Sequence, residues 1–245
     1  MRKLVCFFMF VALLWAAIAF QSATPDSSYG GGTLCASASS VTSQSCVVSV
    51  TAGDFLVVAV AGGNGTTTIS DTQSNAYGTA LSHQADSTGT RESVIFATPS
   101  VASTGSLTIT VADTSVGYMS INVLRYTGIR ASGYLDVASG GFGDSSLAAM
   151  ACGTLTTTNA NDVLVIAYNS PEGNTGVPSA GFTLRSVQPN SSCCEASGAA
   201  DQVVASTGAY SPSWTAGVTG NSACSSVALK AVATSSTKVR RRVIQ

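Results

Sequence analysis

Short segments in which apolar and polar residues alternate follow one another along the chain after position 20. In SLTITV, Leu107, Ile109 and Val111 point to one side and polar residues to the other, which is the period of a β-strand. Gly, Asn, Asp, Ser or Pro bounds each segment, and no sustained helical period interrupts them. The predicted strands cover residues 33–38, 44–51, 54–62, 66–71, 77–84, 91–98, 105–112, 117–127, 133–139, 147–157, 162–169, 181–187, 200–206, 209–216 and 223–232.

Two of these segments, FLVVAVA at 55–61 and VLVIAY at 163–168, are apolar on both faces. Such strands are expected in the middle of packed sheets. Seven or eight short antiparallel strands in each half of the chain predict an all-β fold, an antiparallel β-sandwich of jelly-roll or Ig-like type.

The two halves also resemble each other. GDFLVVAVAG at 53–62 returns as NDVLVIAYNS at 161–170, and STGSLTITVA at 103–112 returns as STGAYSPSWTA from 206. The matching segments are separated by a nearly constant number of residues, which predicts an internal duplication with a first unit at 20–130 and a second at 131–233. The connection TGIRASGY is short and not rich in proline, so we expect the two units to pack closely.

The N-terminus predicts export. Arg2 and Lys3 precede an apolar run from Leu4 to Phe20 that ends with Ala17 and Ala19 in small-x-small spacing. This pattern predicts a signal peptide at 1–19 and a secreted or cell-surface protein without membrane contact after cleavage. An uncleaved membrane anchor is the alternative, because the run approaches the length that crosses a bilayer.

Charge is scarce and unevenly distributed. Residues 20–233 hold twelve acidic and five basic side chains, a net charge of −7, whereas residues 234–245 carry four basic side chains. An acidic body repels phosphate backbones, so we expect no nucleic-acid partner. The basic end is predicted to be a disordered, solvated tail. With only 9% charged residues, the composition is typical of extracellular bacterial surface proteins, whose sheets are covered by hydroxyl groups.

Six cysteines remain after the predicted cleavage, and in an exported protein an even number predicts disulfides. We expect Cys35 to pair with Cys46 across a short Ser/Thr-rich stretch. Adjacent Cys193 and Cys194 would be strained if joined to each other, so we expect them to pair separately with the remaining two, in an order that is left open. The six are Cys35, Cys46, Cys152, Cys193, Cys194 and Cys224.

Candidate catalytic residues are few. Nucleophilic catalysis needs a base, and His83 is the only histidine, with Asp86 three residues later. No GxSxG elbow is present. Glycoside hydrolysis needs paired carboxylates, and the glutamates Glu92, Glu172 and Glu195 lie in predicted edges or loops. An incidental surface histidine is the competing interpretation.

Calcium is the cofactor that the sequence favours. A zinc site built from the cysteines is the alternative to disulfides, but no CxxC pair supports it and an exported compartment oxidises thiols. Hard oxygen ligands are available from Asp71 and Asn75 in SDTQSN, and further pairs are Asp86 with Glu92 and Asp136 with Asp144. Ordinary Asx turns explain the same residues. Asp54 and Asp162 precede the two matching apolar strands, so we interpret both as turn residues whose side chains accept hydrogen bonds from backbone amides.

Carbohydrate binding needs an exposed aromatic platform. Tyr210 and Trp214 lie on one side of AYSPSWTA, but the repeat aligns them with Leu107 and Val111, which predicts core packing. The candidate ligand-binding aromatics are instead residues without an apolar counterpart, namely Tyr77, Tyr134 and Phe142.

The phrases GDFLVVAVAG, ISDTQSNAYGTALSH, VGYMSINVLRYTGI and ANDVLVIAY resemble uncharacterised β-sandwich modules of secreted bacterial proteins, often found beside Ig-like or fibronectin-like domains. Their shared pattern is GD-L-V-V-A-V, then D-x-x-x-N-x-Y, then an alternating strand ending in Y-x-G. The resemblance covers residues 30–233, and Ser74 stands where those modules often carry glycine. It implies a fold and no catalytic residues.

The sequence therefore predicts a secreted, non-enzymatic module for adhesion, surface structure or glycan binding. Its expected partners are an extracellular glycan or another surface protein. The alternatives are a polysaccharide hydrolase or lyase on a jelly-roll, using His83 and the loop acids, and a self-assembling subunit of a filament or surface layer. Any specific activity is expected in the four-cysteine cluster and loops of the second unit.

Overall fold

The computed structural model describes residues 17–24, 35, 38–63, 65–143, 149–171, 176–188, 195–215 and 219–233. Every regular element in these ranges is a β-strand, so the predicted all-β class is confirmed. The first half contains β1 (Ala19–Thr24), β2 (Ala38–Val50), β3 (Phe55–Gly62), β4 (Thr67–Asp71), β5 (Ser82–Ala85), β6 (Glu92–Thr98) and β7 (Gly105–Thr127). The second half contains β8 (Leu135–Gly143), β9 (Ala149–Ala151), β10 (Leu155–Thr156), β11 (Asp162–Pro171), β12 (Val177–Pro178), β13 (Thr183–Gln188), β14 (Glu195–Val204), β15 (Ala209–Tyr210), β16 (Ser213–Thr215) and β17 (Ser222–Leu229).

The longest strand, β7, belongs to two sheets. Its first part pairs with β2 and β4 in an outer sheet, and its second part pairs with β1 and β3 in an inner sheet. The sequence pattern predicts two strands here, because the polar residues at 113–115 interrupt the alternation. The structure continues the strand through them. Gly117 passes so near Gly63 that a Cβ atom on Gly117 would lie 3.2 Å from the Gly63 Cα.

The inner sheet of the first half has the order β1-β7-β3-β6-β5. Its central strand β3 is buried along its whole length. Leu56, Val58 and Val60 face a core shared with the outer sheet, whereas Phe55 and Val57 face the second half of the chain. Burial on both faces is what the continuous apolar run predicts, because β3 lies between two packed layers.

The second half has the inner order β13-β14-β11-β17-β8 and an outer order β12-β16-β9, with β10 and β15 as a separate pair. Trp214 is fully buried and stacks on Tyr168, with ring centroids 4.1 Å apart, which confirms its predicted core position. Tyr210 is only half-buried. When one of them is read in the opposite direction, the inner strand orders of the two halves correspond, with β3 matching β11, β7 matching β17 and β6 matching β14. The duplication itself stays a prediction.

The two inner sheets pack face to face. Phe55, Val57 and Ile95 of the first half and Val163 and Val227 of the second belong to one buried apolar cluster. Burying large apolar side chains contributes roughly 1.5–3 kcal/mol for each. The apolar interface therefore joins the halves into one four-layer body.

Hydrogen bonds at the edges of this interface set the relative direction of the halves. The Asn169 amide nitrogen donates to the backbone oxygens of Gly62 (3.2 Å) and Glu92 (3.1 Å), so the last residues of β3 and β11 lie together. At the other end, Ile129 and Ala231 form a β-bridge. We call the Asn169 end the distal end and the Ile129 end the terminal end.

The first described residues, 17–24, are part of the folded body. Ala19, the last residue of the predicted signal peptide, begins β1 and pairs with Thr127. Ile18 is 9% exposed and packs in the interface cluster. The sequence pattern missed β1 because residues 4–20 form one apolar run. Signal cleavage and the unit boundaries stay predictions, and residues 1–16 and 234–245 lie outside the described residues.

Two disulfides are described. Cys35 pairs with Cys46, as predicted. The expectation that Cys152 and Cys224 each pair with one of the adjacent cysteines is wrong, because these two pair with each other at a Cα–Cα distance of 4.9 Å. β17 carries Cys224 through the core opposite the segment that follows β9, which brings the two together. Cys193 and Cys194 lie outside the described residues.

Candidate functional site

The only histidine lies against a buried glutamate. β5 carries His83 and pairs with β6, whose first residue is Glu92. The His83 Nε2 atom lies 2.8 Å from Glu92 Oε2. The His83 side chain is 48% exposed, whereas that of Glu92 is fully buried. The imidazole therefore covers the carboxyl group and separates it from solvent.

A second carboxyl group completes the cluster from the outer sheet. Thr67 and Asp113 are directly paired on β4 and β7. The Thr67 hydroxyl donates to Glu92 Oε1 at 2.6 Å and lies 3.2 Å from Asp113 Oδ2. One hydroxyl group thus bridges the two acidic side chains, whose mutual repulsion favours a proton on one of them.

Burial is the largest cause of a raised pKa for Glu92, which reaches about 8. The hydrogen bond from Thr67 opposes this rise in the pKa, and the neighbouring Asp113 carboxylate adds to it. Glu92 is accordingly protonated at neutral pH. A neutral carboxyl group of this kind has the proton that a general acid donates.

The geometry does not provide the other parts of a catalytic site. Among the described residues, no serine, threonine or cysteine donates a hydrogen bond to His83, so no activated nucleophile is assembled. Glu92 is fully buried and cannot touch a polysaccharide. The adjoining cavity of about 170 Å³ is lined by Gly65, Thr66, Thr67, Ala80, His83 and Val94.

The hypothesised pairing of His83 with Asp86 is wrong. Asp86 instead accepts hydrogen bonds within its own turn, from Thr90 N at 2.9 Å and Thr88 Oγ1 at 3.0 Å. Burial by itself would raise the pKa of Asp86, but the bonds from Thr90 and Thr88 outweigh it and lower the pKa. The side chain therefore stabilises the turn as a carboxylate.

Sequence reasoning missed Asp113 and Thr67. The available signal was the period of two in β7, where Asp113 continues the inward-facing row of Leu107, Ile109 and Val111. A charged residue in a row of core positions predicts a buried polar partner. Reading the row two residues further would have placed Asp113 inside the sandwich.

A second carboxyl pair lies near the terminal end. Asp136 accepts hydrogen bonds from Thr158 and has Lys230 Nζ at 3.4 Å. Asp162 is fully buried, and neither of its oxygens has a hydrogen-bond donor among the described residues. Burial, and after it the neighbouring Asp136, raise the pKa of Asp162 to about 7, although Lys230 and Arg130 oppose the rise. Burial would raise the pKa of Asp136, but the hydrogen bonds from Thr158 outweigh the effect of burial and lower this pKa.

The two aspartates that open the repeated apolar strands therefore differ. Asp54 accepts a hydrogen bond from the backbone amide of Thr51 at 2.6 Å, so its predicted turn role is confirmed. It also forms an ion pair with Arg125 at 2.9 Å. The same prediction for Asp162 is wrong, because no backbone amide in the described chain bonds its carboxyl group. The Asp162 carboxyl group instead interacts with the carboxyl group of Asp136.

The predicted calcium ligands form a hydrogen-bonded turn. Asp71 accepts bonds from Gln73 N (2.8 Å), Asn75 N (3.1 Å), Asn75 Nδ2 (2.8 Å) and the Tyr77 hydroxyl (2.8 Å). Four protein donors occupy the carboxylate, which is the Asx-turn interpretation of these residues. Calcium at Asp71 and Asn75 stays a prediction. Ser74 within this turn has a φ of 58°, the left-handed region in which glycine is favoured.

The three candidate ligand-binding aromatics have different environments. The expectation that Tyr77 is exposed is wrong, because it is 4% exposed and belongs to the first core. Tyr134 is half-buried and packs edge-on against Phe55, with ring centroids 5.1 Å apart. Phe142 on β8 is 49% exposed. It pairs across the sheet with Ala223, which in turn pairs with Asn169, so Phe142 lies near the distal end. Of the three, Phe142 presents the most surface.

Several other predicted positions cannot be placed. Asp144 and Glu172 lie outside the described residues, as do the loops at 172–175, 189–194 and 216–218 in the second unit. Glu195 is the first residue of β14. The expectation that specific activity resides in this unit's loops and cysteine cluster stays a prediction.

Within the described ranges, no three His, Cys, Asp or Glu side chains are grouped so that they could hold a metal ion. No helix there has the length and apolar character to cross a membrane. Together with the two disulfides, this is compatible with an extracellular protein.

Comparison with known proteins adds no relative. No family model, no curated protein and no solved structure matches the chain. The resemblance to secreted bacterial modules therefore stays a prediction.

Proposed function

We propose that this protein is a secreted, non-enzymatic β-sandwich module that is held at its terminal end and binds a glycan or another surface protein near its distal end. The observation that carries the proposal is the position of the chain ends. Ala17 and Ile18 line the same groove as Val232 and Ala233, a space of about 350 Å³. The described part of the chain therefore begins and ends at the same end of the body.

Attachment at one end makes the other end the natural contact surface. His83 with its cavity and the exposed Phe142 lie towards the distal end. The buried interface between the inner sheets keeps both in a fixed arrangement, which reduces the entropy lost on binding. A partly exposed imidazole and an exposed aromatic ring offer contacts of the two kinds that a polar ligand with an apolar face needs.

The hydrolase alternative has less support. A glycosidase needs two carboxyl groups that flank the scissile bond, and Glu92 and Asp113 instead share one hydroxyl donor inside the body. Burial, together with the neighbouring Asp113, accounts for the raised pKa of Glu92 without a catalytic role.

Glycan-array and cell-binding measurements on the exported protein test the proposal. We expect Phe142→Asp to weaken the binding that the wild type shows, and Val203→Asp to leave it unchanged. Val203 is a matched control because it is 55% exposed and lines the groove at the terminal end. Equal loss in both variants would contradict a distal binding surface.

A second assay addresses the enzymatic alternative directly. The wild type and His83→Ala are incubated with a panel of polysaccharides, and release of reducing ends or unsaturated products is measured. We expect no release by either protein. An activity of the wild type that disappears in His83→Ala would refute the non-enzymatic assignment.

A further inference from the structure

Four side chains from four strands meet inside the first half, near the distal end. Thr67 on β4 and Asp113 on β7 come from the outer sheet, whereas His83 on β5 and Glu92 on β6 come from the inner sheet. The Thr67 hydroxyl lies 2.6 Å from Glu92 Oε1 and 3.2 Å from Asp113 Oδ2, and His83 Nε2 lies 2.8 Å from Glu92 Oε2. We call these four residues the carboxyl cluster. It joins β4 to β5, the edge strand of the inner sheet.

The backbone packs directly on the two carboxyl groups of this cluster. A Cβ atom on Gly65 would collide with Asp113 Oδ1, and a Cβ atom on Gly62 would lie 3.2 Å from Glu92 Oε1. Glycine at position 65 therefore leaves the space that the Asp113 carboxyl group occupies. Glu92 and Asp113 are both buried. Water is thus largely excluded from the pair, which makes every charge placed there costly.

The surroundings of Glu92 supply few balancing charges. Arg91, the preceding residue, lies 3.9 Å from an Asp86 carboxyl oxygen and 3.4 Å from the backbone oxygen of Asn221. Asn169, from the second half, donates its neutral amide to the Glu92 backbone oxygen at 3.1 Å. In the described ranges, the group that forms an ion pair with Glu92 is His83, whose side chain is 48% exposed. The imidazole is therefore the contact between the buried carboxyl pair and solvent.

The geometry makes the cluster hold a proton. Two buried carboxylates that share one hydroxyl donor repel each other, so one of them is favoured in its neutral form. Burial, and after it the neighbouring Asp113, raise the pKa of Glu92 from an ordinary value of 4.5 to about 8, although the Thr67 hydrogen bond opposes the rise. An arrangement that exposed Glu92 to water would therefore release a proton that the closed arrangement retains.

From this geometry we propose that the carboxyl cluster is a pH-sensitive latch, which fastens β4 and β5 to the body at the distal end and loosens as the pH rises. In the open state the His83 ring turns away from Glu92, and the adjoining cavity of about 170 Å³ provides space for this movement. Between pH 4.5 and about 8, only the closed state retains the proton, so each pH unit multiplies the open fraction by about ten. Above pH 8 the closed state has also lost the proton, and the increase ends.

Amide hydrogen exchange of the full-length oxidised protein tests the latch. Rates are measured from pH 5 to pH 9 and corrected for the intrinsic pH dependence of exchange. We expect the protection of the β4 and β5 amides to fall about tenfold for each pH unit up to pH 8 and to stay level above it. Amides in the middle of β3, which is buried along its whole length, are expected to exchange more slowly throughout. Equal rates in β3, β4 and β5 would show that the cluster opens only when the whole fold does, and would overturn the proposal.

Two substitutions assign the pH dependence to the cluster. Glu92→Gln removes the titrating group and keeps its size, so we expect the corrected exchange of β4 and β5 to be independent of pH in this variant. Asp86→Asn is the matched control, because the Asp86 carboxyl group accepts hydrogen bonds from Thr88 and Thr90 within its own turn. This control is expected to keep the wild-type dependence on pH. A dependence that persists unchanged in Glu92→Gln would refute the latch.

The imidazole provides a second measurement, because His83 is the only histidine and gives one set of ring resonances in the NMR spectrum. We expect these resonances to shift in a step near pH 8, as Glu92 ionises beneath the ring, and Glu92→Gln to lack this step. Asp113→Asn removes the repulsion between the carboxyl groups and should move the step to lower pH, which keeps the test decisive where Glu92→Gln does not fold. A step at the same pH in Asp113→Asn would contradict the role of the pair. The latch goes beyond the proposed function, and neither measurement uses a ligand, so a failure to bind glycans leaves this test unaffected.

Discussion

Replacing Asp162 by asparagine tests whether a buried carboxyl pair makes this fold sensitive to pH. Asp162 is fully buried beside Asp136 and lacks any other hydrogen-bond partner in the described chain, while Lys230 and Arg130 are the basic groups that act on it. Asparagine keeps the shape of a protonated aspartic acid and can donate a hydrogen bond to Asp136. The substitution therefore removes the titration and leaves the packing.

The pKa values give the direction and size of the effect. The pKa of Asp162 rises from 3.8 in a model peptide to about 7 in the fold, so between these values the folded protein binds a proton that the unfolded chain has lost. The stability contributed by this proton is complete below pH 4 and is lost as the pH rises through 7. At 1.36 kcal/mol for each pKa unit, the wild type loses about 4 kcal/mol from this group by pH 8.

Urea unfolding at a series of pH values, followed by the fluorescence of the buried Trp214, measures the difference. We expect Asp162→Asn and the wild type to agree within about 1 kcal/mol at pH 4. At pH 8 the variant is expected to be the more stable by up to about 4 kcal/mol. Glu92, with a pKa of about 8, adds a second decline with pH that is common to both proteins.

The matched control is Asp86→Asn. Because the pKa of Asp86 is lowered by bonds from Thr88 and Thr90, its carboxylate stabilises the fold above pH 4 and loses this effect as the pH falls. This variant is expected to be less stable than the wild type at pH 7 and to approach it at pH 3. The reasoning fails if the free energies of unfolding of Asp162→Asn and the wild type change in parallel from pH 4 to pH 8.

Three further substitutions test the turn and the second disulfide. Ser74→Gly relieves a left-handed residue (φ 58°) and should raise the free energy of unfolding by about 0.5–1 kcal/mol, whereas Ser74→Ala should not. Tyr77→Phe removes the hydroxyl that donates to Asp71 and should cost about 1.5–3 kcal/mol in urea unfolding, with no loss expected if the bond is not formed. Replacing Cys152 and Cys224 together by alanine opens a loop of sequence separation 72 and should cost about 4 kcal/mol. An unchanged denaturation midpoint, compared with the wild type under oxidising conditions, would show that this disulfide is not formed.

Much of the fold follows from residue type and period. Alternation located the strands around Leu107 and Ile109, and runs apolar on both faces identified β3 and β11 as central strands. Strand ends were harder to predict. β7 continues past Asp113, because cross-strand pairing on both sides overrides local polarity. β1 was not predicted: Ala19 falls in the predicted signal peptide at 1–19 and no strand was predicted at 20–24, since an apolar run has the same composition whether it is exported or folded.

The candidate site was predictable in part. His83 and Glu92 were both singled out, but each was considered with the wrong partner, and Thr67 and Asp113 were not considered at all. Side chains that meet here come from β4, β5, β6 and β7. Residues so far apart along the chain are joined only by strand order and register, which a local pattern does not contain.

The sequence by itself determined that the chain forms sheets, which strands are central, that Trp214 is core, and that Cys35 pairs with Cys46. Each of these depends on local periodicity, on a matching repeat or on short loop closure. The tertiary structure decided which charges are buried together, which half-exposed rings remain at the surface and which cysteines pair across the second half. Burial and electrostatic coupling depend on distances between strands, and these exist only after the sheets have packed against each other.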